Sequence, residues 1–213
     1  NLITNIEEEL IFSDEEVYDG GISLIQKDKN TDLIHISYST PKTQSRVYLY
    51  NLKTKEKKLV KEQVIPSGHN PDDYIVERLN CDAHDGRKIP ITITRHKKTK
   101  IDGNANLLLY GYGSYGNSIS PSFSSTKLSL VNRDIIWVTA HIRGGLERGM
   151  KWWKEGKLLN KKNTFKDYIS TAKFLIEKKY TSKNKIIGMG GSAGGLLMGA
   201  VANEAPELFC GIV

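Results

Sequence analysis

A glycine-rich turn near the end of the chain limits the possible folds more than any other segment. Residues 190–194 read Gly-Gly-Ser-Ala-Gly, which places Ser192 in a G-x-S-x-G pattern. A short apolar segment, 185–189, precedes the turn, and a helix-forming segment follows it to about Asn203. A strand that turns sharply into a helix needs small residues on both sides of the turn, because side chains there would push the two elements apart. The pattern therefore predicts a strand, a tight turn with a projecting serine, and a helix within an α/β fold.

The residues of this turn also imply a chemistry. A serine hydroxyl held there projects above the end of the sheet, where it can act as a nucleophile. The N–H of Ala193, at the start of the following helix, can stabilise an oxyanion. The alternative is a flexible or phosphate-binding glycine loop. No Lys followed by Ser or Thr comes after the glycines, which disfavours a Walker A loop, and no acidic residue stands about 20 residues on to support a dinucleotide site.

The first part of the chain, residues 1–70, has the pattern of short antiparallel strands. The predicted strands are 21–26, Leu33–Ser39 and Arg46–Asn51, with breaks at 28–30 and 40–42. One or two hairpins of this size bury little apolar surface by themselves. The stretch 61–73 contains Pro and Gly and has the composition of a linker. We therefore predict a boundary between a β-rich part, 1–70, and a second part, 71–213.

Residues 71–213 alternate between strand and helix patterns. The predicted strands are 74–76, 89–94, 107–110, 135–138 and 185–189, the first two forming a hairpin around Asp85-Gly86. Residues 164–179 carry apolar side chains at helical spacing, and Thr164 with Asp167 resembles a capping box at the helix start. The apolar strand segments suit a sheet that is covered on both faces. This half of the sequence therefore predicts an α/β fold with a mostly parallel sheet.

Composition argues against several classes of function. The net charge of +7 comes from lysines scattered among acids and turn residues, without a nucleic-acid-binding motif, so we expect a solvated surface and no nucleic acid. There is no run of about 18 apolar residues and no secretion signal, which predicts a soluble cytoplasmic protein without membrane contact. Cys81 and Cys210 lie far apart and lack zinc-site spacing, so we expect two free thiols, no metal and no cofactor.

Three segments, taken in order and spacing, extend the pattern around Ser192. They are 107–116 (LLLYGYGSYG), 140–165 (AHIRGGLERGMKWWKEGKLLNKKNTF) and 190–209 (GGSAGGLLMGAVANEAPELF). Together they resemble the prolyl oligopeptidase family of serine peptidases, and most of all its oligopeptidase B branch. The resemblance implies an α/β-hydrolase fold covered by a β-propeller that admits short peptides. Residues 1–70 would then be β-hairpins from the last part of the propeller, and 71–213 the N-terminal part of the catalytic domain.

The resemblance assigns roles to four residues. Ser192 matches the nucleophile, while the N–H of Ala193 and the hydroxyl of Tyr112 match the two oxyanion donors. Tyr115 matches an aromatic residue that lines the pocket for the residue before the scissile bond. Without the resemblance, Tyr112 would be interpreted as a packed tyrosine at a strand end. The oligopeptidase B branch also implies cleavage after Lys or Arg, but the stretch 118–123, where that branch uses acidic residues, holds no carboxylate here. The choice between basic residues and proline stays open.

A serine nucleophile needs a general base and an acid that orients it, and in this fold both follow the serine in the chain. The 21 residues after Ser192 contain neither Asp nor His. All five histidines precede Ser192; we expect His141 to be structural and His69 and His96 to be solvated in loops. We therefore expect a chain that is incomplete at both ends and has little peptidase activity alone. Its Asp and His would come from a missing C-terminal part or from a complementary chain.

Three hypotheses follow for the function. The first is a serine endopeptidase or oligopeptidase that hydrolyses short peptides through an acyl-enzyme on Ser192. The second is an esterase or acylpeptide hydrolase on the same fold, against which the long match from Arg143 to Phe165 argues. The third is a catalytically incomplete remnant or subunit that folds only with another chain. Alone, such a fragment would expose sheet edges and tend to aggregate.

Overall fold

Two β-sheets organise the chain, and they differ in strand direction. The computed structural model describes Ser13, residues 15–25 and residues 31–213. The predicted break at 28–30 and the last residue of the predicted strand 21–26 lie outside the described residues. The first sheet is antiparallel in the order β1-β2-β3-β4. Its strands are β1 (Asp19–Leu24), β2 (Leu33–Ser39), β3 (Arg46–Asn51) and β4 (Lys57–Glu62).

The sequence predicted two of these strands at their observed bounds and missed β4. Every residue of β4 is exposed, so it has no alternation between buried and exposed positions. Its lysines predict a solvated surface, which is correct for the side chains but conceals the strand. The predicted linker at 61–73 therefore begins too early, because β4 ends at Glu62 and a short 3₁₀ turn occupies Pro71–Asp73.

The second sheet has six strands and carries the rest of the fold. Its strands are β5 (Tyr74–Asp82), β6 (Lys88–His96), β7 (Asn106–Gly111), β8 (Ile135–Ala140), β9 (Ile186–Met189) and β10 (Phe209–Ile212). Their order is β10-β9-β7-β8-β6-β5. The strands β10, β9, β7 and β8 are parallel, with β10 at one edge of the sheet. At the other edge, β6 and β5 form the predicted antiparallel hairpin. The prediction of a mostly parallel sheet is confirmed.

Four helices connect the strands of the second sheet. They are α1 (Ser125–Val131), α2 (Gly149–Lys154), α3 (Lys162–Glu177) and α4 (Gly194–Glu204), with further 3₁₀ turns at Leu158–Asn160 and Pro206–Leu208. The sequence predicted α3 and α4. It missed α1 and α2, which have seven and six residues, because two turns are too short to show an apolar repeat. None of the helices in the described ranges has the length and apolar character needed to span a bilayer.

The predicted capping box of α3 is wrong. The helix begins at Lys162, two residues before Thr164, and the Thr164 side chain is buried inside it. The Thr164 hydroxyl donates to the carbonyl oxygens of Arg143 at 2.8 Å and Gly156 at 3.1 Å, and Asp167 accepts hydrogen bonds from Arg143. Both polar residues therefore serve contacts across the fold, which a local sequence pattern does not reveal.

The sheet is covered on both faces, as the apolar strands predicted. Helices α3 and α4 bury one face, and α1 with Tyr74 and Trp137 buries part of the other. Fully buried side chains of the larger cluster include Ile91, Ile93, Leu107, Leu109, Ile136, Tyr168, Leu175, Ile186 and Leu197. Each buried aliphatic side chain of this size contributes about 1.5–3 kcal/mol. This core fixes the carboxyl ends of the parallel strands, where the candidate site lies.

Two histidines that were expected to be solvated are instead part of the structure. His69 is half-buried: its Nε2 lies 2.6 Å from the carbonyl oxygen of Lys42, and its ring stacks on Tyr74 and meets Phe123 edge-on. His96 is the last residue of β6 and contacts the same Tyr74 edge-on. The His69 ring joins the loop after β2 to β5, and His96 is half-buried at the end of a strand, so the expectation of solvated loop histidines is wrong.

Candidate active site

Ser192 lies on the predicted turn between a parallel strand and a helix. Strand β9 ends at Met189 and α4 begins at Gly194. Ser192 has φ of 53°, a left-handed conformation that a side chain rarely adopts, and its side chain is exposed. Such a conformation costs on the order of 1–3 kcal/mol and persists only where surrounding contacts impose it. The geometry is that of a serine hydroxyl projected from the end of the sheet.

Contacts with Gly190 and Gly194 impose this turn. A Cβ on Gly190 would lie 2.6 Å from the carbonyl oxygen of Gly194, and a Cβ on Gly194 would lie 3.2 Å from that of Gly111. The neighbouring glycines Gly191 and Gly195 have open space where a Cβ would be. The two positions that the sequence pattern required to be small are therefore the two with close backbone neighbours.

Tyr112 and Ala193, the two residues predicted to supply oxyanion donors, lie at this turn. The two residues after Ala193 have hydrogen-bonded N–H groups: Gly194 donates to the carbonyl oxygen of Gly191 and Gly195 to that of Ser192, both at 2.8 Å. In the described part of the chain the Ala193 N–H has no acceptor. Tyr112 follows β7 directly, and its Cα and Cδ2 lie 3.8 and 3.7 Å from the position of a Cβ on Gly194. Tyr112 therefore lies against the first residue of α4, next to Ala193.

Tyr112 is held by the turn that follows it. Gly113 has φ of 64°, and a Cβ there would lie 2.4 Å from Cγ2 of Thr164. The Lys161 ammonium donates to the carbonyl oxygen of Gly113 at 2.6 Å and to Oγ of Ser114 at 2.8 Å. Burial lowers the pKa of Lys161. No role for Lys161 follows from the sequence alone. It lies within the segment 140–165 that carries the family resemblance, but no local pattern connects it to Gly113.

Tyr115 borders an open cleft of about 500 Å³ next to Ser192. Its φ is 55° and 78% of its surface is exposed. Other lining residues include Trp153, Lys157, Leu158, Ala193 and Leu196. The Lys157 ammonium lies 3.6 Å from the centroid of the Trp153 ring. The cleft is apolar with lysines at its wall and has no carboxylate among its lining residues, so its described part suits an apolar side chain better than a basic one.

A buried charge cluster holds the loop after β8, which lies next to the candidate site. Arg143 is 1% exposed and donates to Asp167 from its backbone N–H, Nε and Nη2, while Nη1 and Nη2 donate to Asp85. Its guanidinium also lies 5.7 Å from the centroid of the Trp152 ring. Burial would lower the pKa of Arg143, but its bonds to the two carboxylates raise it overall. Burial raises the pKa of Asp167, against the opposing effect of Arg143.

His141, considered as a replacement base, is buried directly after the end of β8. It is 1% exposed, its Nε2 lies 2.8 Å from Oγ1 of Thr92, and its Nδ1 lies 3.5 Å from Oε1 of Glu147. Burial lowers the pKa of His141, and the Glu147 carboxylate opposes this effect. Among the residues the structure describes, no histidine is hydrogen-bonded to Ser192, and no three His, Cys, Asp or Glu residues converge to hold a metal ion.

The parallel sheet, the strained serine and the adjoining helix start define an α/β-hydrolase fold. The model of the prolyl oligopeptidase family matches residues 121–213. Dipeptidyl aminopeptidase BI of Pseudoxanthomonas mexicana is 44% identical over 198 residues, which are 92% of this chain and 27% of that protein. Protease 2 of Moraxella lacunata is 40% identical over 200 residues, which are 94% of this chain and 29% of the relative.

Solved structures agree with the sequence comparison. Oligopeptidase B from Trypanosoma brucei, in a closed form with covalently bound antipain, superposes with a TM-score of 0.87 at 36% identity, covering 94% of this chain and 29% of that one. A structure from a study of two prolyl endopeptidases gives a TM-score of 0.83 at 32% identity, covering 91% and 28%. The chain belongs to the prolyl oligopeptidase family. It spans 27% to 29% of the length of these relatives.

Proposed function

We propose that this chain supplies the nucleophile of a serine-type oligopeptidase that hydrolyses short peptides through an acyl-enzyme on Ser192. The observation that carries the proposal is the left-handed, exposed Ser192 in the turn just before α4. Its hydroxyl would attack the scissile carbonyl, and the Ala193 N–H and the Tyr112 hydroxyl would receive the negative charge that develops on the carbonyl oxygen. Each such donor is worth about 100- to 1,000-fold in rate.

The described residues do not bring a general base with an orienting carboxylate to Ser192. No described histidine is bonded to Ser192, and the residues that follow Ser192 include neither His nor Asp. We propose that both groups are contributed by sequence beyond this chain, either in the same protein or in a complementary chain. Without them, oxyanion stabilisation and binding alone would leave roughly 1,000- to 10,000-fold catalysis over water.

The residue before the scissile bond would occupy the cleft beside Tyr115. Cleavage after Lys or Arg is one candidate, suggested by the resemblance to oligopeptidase B. The described wall of the cleft supplies two lysines and no carboxylate, so any acid that selects a basic residue has to lie outside it. Peptides with Arg, Pro or Leu at this position, otherwise identical, would distinguish the candidates through their kcat/KM values. A cytoplasmic location stays a prediction that cell fractionation can test.

The decisive experiment uses the complete gene product. We expect it to hydrolyse short chromogenic peptides, to react with a fluorophosphonate at Ser192, and to lose at least about 1,000-fold in kcat/KM on Ser192→Ala. Residues 1–213 alone should show little hydrolysis, since the base is absent. Fluorophosphonate labelling at another serine, or unchanged hydrolysis by the variant, would contradict the proposal.

The same experiment separates the remaining hypotheses. An esterase or acylpeptide hydrolase would hydrolyse acyl esters or acylated peptides in preference to the unblocked peptides. A catalytically incomplete remnant would show no turnover of either substrate and no labelling. A subunit would recover labelling and hydrolysis only when a chain that carries the missing His and Asp is added.

A further inference from the structure

A tyrosine on helix α3 reaches the ends of two strands of the parallel sheet. Tyr168 has no exposed surface and belongs to the main apolar core. Its hydroxyl donates a hydrogen bond to the carbonyl oxygen of Leu109 on β7 at 2.5 Å and accepts one from the N–H of Met189 on β9 at 3.3 Å. One hydroxyl therefore connects the main chains of two neighbouring strands.

These two strands lead to the candidate oxyanion donor and the candidate nucleophile. Tyr112 comes three residues after Leu109, and Ser192 comes three residues after Met189. The strands are parallel and adjacent, so both site residues follow the sheet at the same edge. The Tyr168 hydroxyl is thus bonded equally far along the chain from each of them.

Two glycines leave the space that the Tyr168 ring occupies. A Cβ on Gly111, the last residue of β7, would lie 2.8 Å from Cδ2 and Cε2 of the ring. A Cβ on Gly188 of β9 would lie 3.3 Å from the hydroxyl oxygen. The ring also stacks on Phe209 of β10, with centroids 6.0 Å apart. Close packing against three strands therefore gives the hydroxyl a defined position.

Burial also fixes the protonation state of this hydroxyl. It raises the pKa of Tyr168, and the hydrogen bond from the Met189 N–H opposes that effect. The hydroxyl therefore keeps its proton at neutral pH, so it can donate to Leu109 and accept from Met189 at the same time. A phenylalanine at this position would keep the ring and lose both hydrogen bonds.

The same face of α3 supports the turn that follows Tyr112. Thr164 lies one helical turn before Tyr168, and its Cγ2 would be 2.4 Å from a Cβ on Gly113. Its hydroxyl donates to the carbonyl oxygen of Arg143 at 2.8 Å. Helix α3 therefore contacts the main chain on both sides of Tyr112, at the end of β7 and in the turn.

We propose that Tyr168 is a positioning residue that sets the separation between Tyr112 and Ser192. This inference rests on the proposed peptidase function. An oxyanion donor is effective only at hydrogen-bonding distance from the carbonyl oxygen of the group that the serine attacks. A misplacement of about 1 Å costs on the order of 100-fold in rate. A hydroxyl bonded to both strands restrains this separation where the strands end.

The kinetic test removes the hydroxyl from the complete gene product. We expect Tyr168→Phe to lower kcat about tenfold or more while KM stays within about twofold, because an oxyanion donor acts in the transition state. Affinity for a peptide aldehyde, which forms a tetrahedral adduct, should fall with kcat.

Tyr180→Phe is the matched control. Tyr180 is also buried, but its hydroxyl donates to Glu77 on β5 at 3.1 Å, and Glu77 keeps its hydrogen bond from Arg95 in the variant. The variant loses a buried hydroxyl that has no bond to β7 or β9 among the described residues. We expect its kcat and KM to stay within about twofold of wild type.

A second substitution distinguishes positioning from a general effect on the fold. Tyr112→Phe removes the oxyanion donor, so the position of that residue matters less in this background. We expect Tyr168→Phe to cost about twofold or less when Tyr112→Phe is already present, against about tenfold or more in the wild type. A loss of core stability would lower activity by the same factor in both backgrounds.

The proposal is overturned if Tyr168→Phe leaves kcat unchanged, or if its loss is the same in the Tyr112→Phe background. A wild-type crystal structure in which the Tyr168 hydroxyl contacts neither Leu109 nor Met189 would overturn it without any variant.

Failure of the peptidase function is a separate outcome. It is shown if the wild type neither hydrolyses peptides nor reacts with a fluorophosphonate. Crystal structures of the complete gene product then decide on Tyr168. The Cα atoms of Tyr112 and Ser192 should change their separation by about 0.5 Å or more in Tyr168→Phe and keep it in Tyr180→Phe. An unchanged separation in Tyr168→Phe would overturn the positioning role.

Discussion

At the residue scale, the shape of the Ser192 turn depends on Gly190. Its missing side chain lets the end of β9 approach Gly194, because a Cβ would lie 2.6 Å from the carbonyl oxygen of that residue. We predict that Gly190→Ala lowers kcat/KM of the complete gene product by about 100-fold or more, since a nucleophile displaced by about 1 Å loses on that order. Fluorophosphonate labelling of Ser192 should slow in parallel.

Gly195 provides the matched control. A Cβ there meets nothing within 4 Å, and the residue lies in α4 with an ordinary helical backbone. Gly195→Ala should leave kcat/KM within about threefold of wild type and stabilise the helix by up to about 1 kcal/mol. Equal losses in both variants would show that the turn does not depend on the Gly190 contact.

Lys161 is a positioning residue for the Tyr112 turn. Its two hydrogen bonds hold Gly113 and Ser114, the residues that directly follow Tyr112. We predict that Lys161→Met lowers kcat about 10- to 100-fold with little change in KM, because an oxyanion donor acts in the transition state rather than on the bound substrate. Affinity for a peptide aldehyde, which forms a tetrahedral adduct, should fall with kcat.

The neighbouring exposed Lys162 is the control for loss of charge. Lys162→Met should leave both kinetic constants close to wild type. A Lys161→Met variant that raises KM without lowering kcat would assign Lys161 to substrate binding in the cleft instead.

At the scale of elements, the charge cluster around Arg143 joins the hairpin β5–β6, the loop after β8 and helix α3. Asp167 is fully buried, whereas the side chain of Asp85 is 37% exposed. We predict that Asp167→Asn lowers the free energy of unfolding by about 3–5 kcal/mol, because Arg143 is left buried without its main counter-charge. Asp85→Asn should cost about 1 kcal/mol or less, since water replaces the lost contact. Equal effects of the two substitutions in denaturant titrations would contradict this ranking.

The sequence predicts those elements whose apolar pattern and flanking turn residues lie within their own segment. Strands β2 and β3, and the unit of β9, turn and α4, follow from alternating or continuous apolar residues bounded by turn residues. Helices α1 and α2 were missed because their stability comes from distant contacts: Leu128 and Val131 pack near Trp137, and Trp152 lies under Arg143. The false capping box at Thr164 has the same origin, since its hydroxyl bonds across the fold.

The residues of the candidate site also fall into two groups, those that the sequence predicts and those that it does not. Ser192 and Ala193 belong to one short pattern, and Tyr112 follows from the family resemblance; their roles stay predictions. Lys161 could not be found from the sequence, because its partner Gly113 lies 48 residues away.

At the scale of the whole molecule, a single segment between β7 and α1 contacts both sheets. Ser120 donates to Asp19 of β1 at 2.7 Å, and the N–H of Phe123 donates to Oγ of Ser39 at the end of β2 at 2.8 Å. The Ile119 N–H donates to Glu147 on the other side. This segment therefore ties the ends of β1 and β2 to the loop that carries Glu147.

The stability of the whole fold should also depend on the Cys81 thiol at alkaline pH. Cys81 lies on β5 with no exposed surface, and burial raises its pKa from 9.0 to about 11, while its contact with Thr171 opposes the shift. Between these pH values the unfolded chain loses the thiol proton before the folded chain does. This contribution to stability is therefore complete below pH 9 and is lost as the pH rises through 11, by roughly 2–3 kcal/mol in total. Denaturant titrations at pH 8 to 11.5 should show wild type losing this amount relative to Cys81→Ala. Cys210→Ala, which keeps Cys81, controls for removing a thiol, and parallel profiles for wild type and Cys81→Ala would contradict the prediction.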